Sequence, residues 1–426
     1  MKVTSYSVLL FLFIYAFPIY KLVHSDHIGT FLALILLFLS RNGLKLLASA
    51  TSKKITITIY LAYIFLISYS ILNTSLIGSY DFSMIKTLIN NLLSFLSCLI
   101  FISLFFSWFG YGQHIGKYLT IILMIQSILI LLMLVFPDFG EFLQSNLRTK
   151  DELDRMATYG GIRGLGVAGS IAFGLAITMG LLGYIYLYWC ATRTNISSIS
   201  QLIIFFTCII SSLSAGRTAI LGFVCGLIFF YFNKSFISII KMTLKQTLYI
   251  LILSCLLYIV IISNKELYAI FEMYSRYVFQ SIYNYFDHSS FQVSSLEKLE
   301  NMYFWPSDST TWFFGDGKYT DYNGLYYKQT DAGYMRFLLY YGIIGSLIPY
   351  ISFLLFCLYS ASKAKLINNN ASIFFFILIF ISFIFHYKGE VVFYNVAYMK
   401  IVFIIGFYYI IKSNFYLKNK DITYNE

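Results

Sequence analysis

Asp331 and Arg336 stand in the stretch QTDAGYMRFLLYYGIIG (residues 329–345), where a polar segment turns abruptly into an apolar run carrying a glycine pair, Gly342 and Gly345. A carboxylate at such a boundary can take a proton from a hydroxyl group. An arginine nearby can hold an anion through its planar fork. Tyr334, between the two, joins Arg336 as a candidate for touching a substrate. The plainer readings are that Asp331 caps the helix that follows and that Arg336 snorkels to lipid headgroups.

Two further arginines occupy similar boundaries. YGGIRGLGVAGS (159–170) surrounds Arg163 with glycines, which let backbone amides approach a ligand closely at a helix start. SSLSAGRTAILG (211–222) places Arg217 in a tight turn between two apolar runs. Together they suit a phosphate group, and both are expected at one membrane depth; helix packing and snorkelling are the competing readings. His24, His27, His288 and His386 lack a second ligand at helical spacing, while DELD (151–154) and Asp287–His288 read as solvated loop surface. No metal site is expected. No P-loop, dinucleotide fingerprint or Ser or Cys nucleophile motif is present, so no soluble cofactor is expected either.

Membrane helices must position these residues. Of the 426 residues, 59% are hydrophobic and only 12% charged, a balance that no soluble domain of this size tolerates. Apolar runs of about 20 residues recur along the chain, the length that crosses a bilayer core. They are continuous rather than short and alternating, which excludes a barrel. The expected fold is an all-α polytopic membrane protein, a single integral domain over 1–426. Its twelve spans lie near 4–22, 28–47, 55–72, 85–107, 115–136, 162–189, 199–213, 217–232, 246–263, 332–360, 371–387 and 394–412. The first run has no small-residue cleavage site and reads as a retained helix. The six cysteines lie inside apolar runs without paired spacing, as packing residues do.

A net charge of +11 suggests nucleic acid until the charges are placed. With the N-terminus inside, fifteen lysines and arginines of the termini and short loops fall on the cytoplasmic side. Five fall outside: Lys21, Lys86, Arg217, Lys388 and Lys400. That bias obeys the positive-inside rule and puts both termini in the cytoplasm. Two long loops, 137–161 and 264–331, then face outward, the larger as a folded or partly helical cap. Arginine runs against the trend, with Arg148, Arg155, Arg163, Arg217, Arg276 and Arg336 outside and only Arg41 and Arg193 inside. External arginine points to an anionic ligand on the outer face.

In this order, GIRGLGVAG, LSAGRTAILG and TDAGYMRFLLYYGIIG resemble elements of the O-antigen polymerase (Wzy-type) proteins and their relatives, the O-antigen ligases. The resemblance covers most of the chain. It implies a metal-independent, inverting glycosyltransferase of GT-C-like architecture in the bacterial inner membrane. The implied partners are undecaprenyl-diphosphate-linked oligosaccharides and the lipid bilayer, with a chain-length regulator protein as a further candidate and no nucleic acid. Arg163 and Arg217 would stabilise the leaving diphosphate, and Asp331 would act as the base. Ligases usually carry a histidine eleven positions before the first glycine of the third element; here Asp331 stands eleven before Gly342, which favours the polymerase. A ligase and a polysaccharide flippase or transporter are the alternatives. An Arg followed sixteen positions later by Gly, proposed as a polymerase loop motif, is matched by Arg148 and Gly164, but Arg276 leads to Gln292.

Overall fold

A backbone out of water must satisfy its own N–H and C=O groups, and a continuous apolar run does so only as a helix. A computed structural model describes residues 1–19, 23–157, 166–192, 198–234, 236–288, 294–321 and 324–423 and is built almost wholly of helices. In chain order these are α1 (Lys2–Tyr15), α2 (Ser25–Phe38), α3 (Arg41–Thr51), α4 (Lys54–Ile77), α5 (Ser83–Phe109), α6 (Ile115–Val135), α7 (Pro137–Leu147) and α8 (Lys150–Ala157). There follow α9 (Phe173–Ala191), α10 (Ser198–Ala215), α11 (Ile220–Phe232), α12 (Phe236–Ser263), α13 (Lys265–Val278), α14 (Gln280–His288) and α15 (Ser294–Asn301). The last four are α16 (Ser309–Phe314), α17 (Gly333–Lys365), α18 (Asn369–Lys388) and α19 (Val396–Thr423). A small antiparallel hairpin, β1 (Pro18–Ile19) with β2 (Val23–His24), pairs Pro18 with His24 and Ile19 with Val23.

Among the described residues, seven helices are long and apolar enough to cross a membrane: α4, α5, α6, α9, α17, α18 and α19, the last over Val396–Leu417. The expected span 28–47 is instead two helices, α2 and α3, bent by 115°. The bend follows from Ser40, whose hydroxyl accepts from the Gly43 amide and so starts a new helix, while also bonding Ser107. If the bent pair counts as one span, there are eight.

The chain packs as two compact units, one of Met1–Gly29 with His114–Val293, the other of Thr30–Gln113 with Ser294–Glu426. The stretch 264–331, expected as one large loop, is divided between them. Its first part, α13 and α14, belongs to the first unit and its second part, from α15 onward, to the second.

In the first unit, α9 and α11 cross at contact distance. A Cβ added to Gly222 would lie 2.0 Å from the Gly180 carbonyl oxygen, and one on Gly183 would strike the Phe223 ring at 2.4 Å. Small residues let two apolar helices approach this closely, where dispersion contacts accumulate. The expected span 162–189 starts late, at Phe173, and residues 166–172 before it are non-helical. Their carbonyls need donors, and Arg148 supplies them.

In the second unit, α17 is interrupted at Gly342 (φ 65°, ψ −176°). A break strips the preceding carbonyls of their helical donors, a serious cost in an apolar setting. Here each is met from elsewhere. Leu339 O accepts the Asp316 amide (2.6 Å), Tyr340 O the Asn73 side-chain amide (3.1 Å) and Tyr341 O the Tyr69 hydroxyl (2.9 Å). Only glycine fits: that backbone conformation excludes other residues, and a Cβ would sit 2.3 Å from the Phe313 carbonyl carbon.

Candidate active site

The second unit builds its site on the junction of α17 with the turn between α18 and α19. Gly333 opens α17 so close to the end of α18 that a Cβ would lie 2.2 Å from His386 O and 2.6 Å from Gly389 O. His386, fully buried, organises the turn: its Nδ1 accepts the amides of Val391 (3.0 Å) and Val392 (3.2 Å). A neutral imidazole has one acceptor nitrogen, so Nε2 carries the hydrogen and donates to the Tyr350 hydroxyl at 3.0 Å. Glu390 lies in that turn.

One helical turn along α17, Arg336 reaches Glu390, with Nε 2.7 Å from Oε1 and both side chains buried. Its Nη1 donates to Thr330 O (3.2 Å) and its Nη2 to Tyr319 O (3.3 Å). The guanidinium lies against two rings, 3.6 Å from the Tyr319 centroid and 4.0 Å from that of Tyr326. The Tyr319 hydroxyl donates to Glu390 Oε2 at 2.9 Å and is also hydrogen-bonded to the Tyr394 hydroxyl. Burial pushes the Glu390 carboxyl up to about 7, although Arg336 and the Tyr319 hydrogen bond pull it down. The same strap of chain is held a second time by Asp81, which accepts the Tyr319 and Thr320 amides at 2.7 Å each. Burial would raise the Asp81 carboxyl, but the hydrogen bonds from Ser83, Thr320 and Tyr319 together lower it.

This framework presents Asp331. The residues on either side of it, Thr330 and Ala332, are fully buried, while Asp331 is exposed. Thr330 Oγ1 donates to Met302 O (3.1 Å) and accepts the Ala332 amide (3.3 Å). The N-cap of α17 is Ala332, the residue after Asp331. The negative charge of Asp331 contributes to raising both Glu390 and the Tyr303 hydroxyl, so it acts on the buried cluster while open to solvent.

The other expected residues fall as follows. Arg336 is not a free anion ligand: every face of its guanidinium is engaged by protein groups, because it joins α17, the strap and the α18–α19 turn. Tyr334 is half-buried and donates to Phe383 O at 3.0 Å, packed against His386. In the first unit, Arg148 is 1% exposed and donates to Gln144 Oε1 (3.1 Å) and to the carbonyls of Ala168 (2.6 Å), Gly166 and Gly169 (3.5 Å each). It therefore closes the non-helical 166–169 backbone rather than facing a substrate, and burial pulls its pKa down to about 10, still charged at neutral pH. Arg217 is half-buried at the head of a 3-10 turn (Arg217–Ala219) that leads into α11, with its guanidinium 5.5 Å from the Tyr277 ring centroid. Ala219 rests on Gly180, which fixes the turn on α9. Arg163 lies outside the described residues, as do the side chains of Asp287 and His288. Among the described residues no group of three His, Cys, Asp or Glu could hold a metal ion.

Glu390, Tyr394 and Asp81, which carry the site together with Tyr319, were not singled out from the sequence. The available signal was an acid in the short connection KGEVVFYN (388–395) between two apolar runs. No family model, curated protein or solved structure matches the chain.

Proposed function

We propose that this protein is an O-antigen polymerase, a glycosyltransferase with twelve spans that joins undecaprenyl-diphosphate-linked repeat units at the periplasmic face of the inner membrane. The observation that carries the reading is the presentation of Asp331, an exposed carboxylate between two fully buried neighbours on a backbone held by Arg336 and Glu390. A general base works when its position is fixed by its surroundings. The hydroxyl oxygen of the acceptor repeat unit attacks the anomeric carbon of the donor glycan. The bond from that carbon to the diphosphate oxygen breaks, and its electron pair leaves with undecaprenyl diphosphate. The hydroxyl proton passes to Asp331, and the anomeric carbon inverts. Arg217, together with Arg163, meets the charge that builds on the diphosphate.

The test is Asp331→Asn expressed in a strain that lacks the chromosomal gene. The wild-type gene restores a lipopolysaccharide ladder. The Asn variant reaches the membrane in normal amount and leaves core bearing a single repeat, as expected of a base that contributes roughly 10²–10⁴-fold in rate. Bare core with no repeat would identify a ligase instead, and a full ladder from the variant would remove Asp331 from the mechanism.

A further inference from the structure

The large loop does not stay above the helix ends. Its α16 segment runs down beside α4 and α17 to a depth that the hydrogen bonds define. Phe314 O accepts the side-chain amide of Asn73 at 2.9 Å, and Asn73 also holds Tyr340 O at the α17 break. Gly315 and Gly342 meet backbone to backbone: a Cβ on Gly315 would lie 2.6 Å from the Gly342 amide nitrogen. Asn73 stands four residues before the end of α4 at Ile77, and Tyr69, which bonds the neighbouring Tyr341 O, stands eight before it. At about 1.5 Å per residue those positions lie about 6 Å and about 12 Å inside the helix end. Gly342 is nine residues from the start of α17, about 13 Å by the same rise. Both helices are long and apolar enough to cross a membrane.

At that depth the outward side of the segment is aromatic. Phe313 is 54% exposed and Phe314 51%, and Trp305, tilted against Trp312 at 5.2 Å, is 85% exposed. Toward the protein, the polar groups of Thr311 and Trp312 are satisfied, while Ser307, Asp308, Ser309 and Thr310 at the start of α16 are exposed and form its water-side end. Trp312 Nε1 donates to Pro306 O (2.9 Å), the buried Thr311 hydroxyl donates to Asp316, and Asp308 caps α16 by accepting from the Thr310 amide. The two spans also carry exposed apolar side chains next in sequence to the contacting residues, Leu72 beside Asn73 on α4 and Ile343 beside Gly342 on α17.

We propose that the α16 segment is a lipid-embedded wedge, with Phe313 and Phe314 in the bilayer interface and its occupant the acyl region of bilayer lipid. An apolar face held about 5–10 Å into the headgroup–acyl boundary is how interfacial helices bind membranes, and Trp is favoured at that level. The wedge also explains why α17 is broken where it is: the interruption at Gly342 lets backbone meet backbone, with every freed carbonyl met by a partner. The inference stands whether or not the chain polymerises glycans.

Spin labels at Phe313→Cys and Phe314→Cys, with Ser307→Cys as control, test it in phosphatidylcholine vesicles. Cys98, Cys190, Cys208, Cys225 and Cys357 are buried and leave the label selective once Cys255 is replaced by serine. Oxygen partitions into hydrocarbon and a nickel chelate into water. The expected result is an oxygen-to-nickel accessibility ratio several-fold higher at 313 and 314 than at 307. Equal ratios would overturn the proposal and leave the rings as a water-side platform, of the kind that stacks on sugars. Should the labelled variants misfold, Trp305→Phe in otherwise unchanged protein answers the same question. Brominated phosphatidylcholine should quench the wild type more than the variant. If acrylamide does so and the brominated lipid does not, the segment stands in water.

Discussion

Arg336 and Glu390 form a buried ion pair, 2.7 Å between Nε and Oε1, that joins the first turn of α17 to the turn between α18 and α19. The pair is closed by Tyr319, which gives its carbonyl to the arginine and its hydroxyl to the glutamate. Removing one partner of such a pair outright leaves the other buried without its hydrogen-bonding group, at a cost of about 3–5 kcal/mol. Glu390→Ala should therefore abolish folded protein in the membrane. Glu390→Gln keeps an acceptor for Arg336 and should be recovered folded. Equal yields of the two variants would count against the pair as the support of Asp331.

The same glutamate gives stability a pH dependence. Burial raises its folded pKa to about 7, from an ordinary value of 4.5. Between those values the folded protein holds a proton that the unfolded chain has lost. Stability thus falls as pH rises through that window and levels off above about 7. The thermal midpoint of detergent-solubilised protein should drop from pH 5 to pH 7 in the wild type and drop less in Glu390→Gln. Identical slopes would place the titration elsewhere.

Gly342 and Gly345 should differ sharply when changed to alanine. At Gly342 the conformation is one that only glycine adopts readily, and the intruding methyl meets backbone atoms that cannot move away. The loss should be about 1–3 kcal/mol from backbone strain alone, with the clash added. At Gly345 the backbone is not left-handed, and the methyl would crowd the Tyr69 ring at 2.6 Å and Tyr341 Cβ at 2.8 Å, so crowding acts there without backbone strain. Asn73→Leu should cost about 1–3 kcal/mol, because Tyr340 O and Phe314 O lose their donor. Thermal midpoints of the three variants, measured side by side, give the ranking.

Arg148→Met should lower the amount of folded protein, since each buried carbonyl left without a donor costs about 1–3 kcal/mol. Arg148→Lys should recover only part, as one ammonium cannot span Gln144, Gly166 and Ala168 together. Folded protein present in normal quantity that, on the proposed function, binds a lipid-linked repeat unit poorly would instead make Arg148 a ligand.

Arg217→Lys separates an anion site from a headgroup anchor. The turn is held by Ala219 against Gly180, so the variant should fold normally. A lysine keeps the charge and loses the fork. On the proposed function its polymerisation rate should fall about tenfold or more, the loss expected when one donor to a developing anion is weakened. A lipopolysaccharide ladder of unchanged length and intensity would return Arg217 to anchoring.

From the sequence alone, helix and membrane were legible, because a bilayer-length apolar run leaves its backbone few other ways to satisfy its hydrogen bonds. The ends of those runs marked Asp331 and Arg217 as polar groups at a boundary. The same logic placed Arg336 among substrate ligands, as a loop motif did Arg148, and there it stopped. Hydrophobic pattern reports how much of a segment is buried and says nothing about which distant group it meets. Arg336 and Glu390 are 54 residues apart and Asn73 and Tyr340 are 267 apart. Gly342 and Gly345 read in one dimension only as a glycine pair in an apolar run, yet one of them is a helix break, made tolerable by three donors from α4 and the loop. Whether a buried arginine serves a ligand or a set of carbonyls depends on which acceptors the fold brings within 3.5 Å of it, and only the tertiary structure decides that.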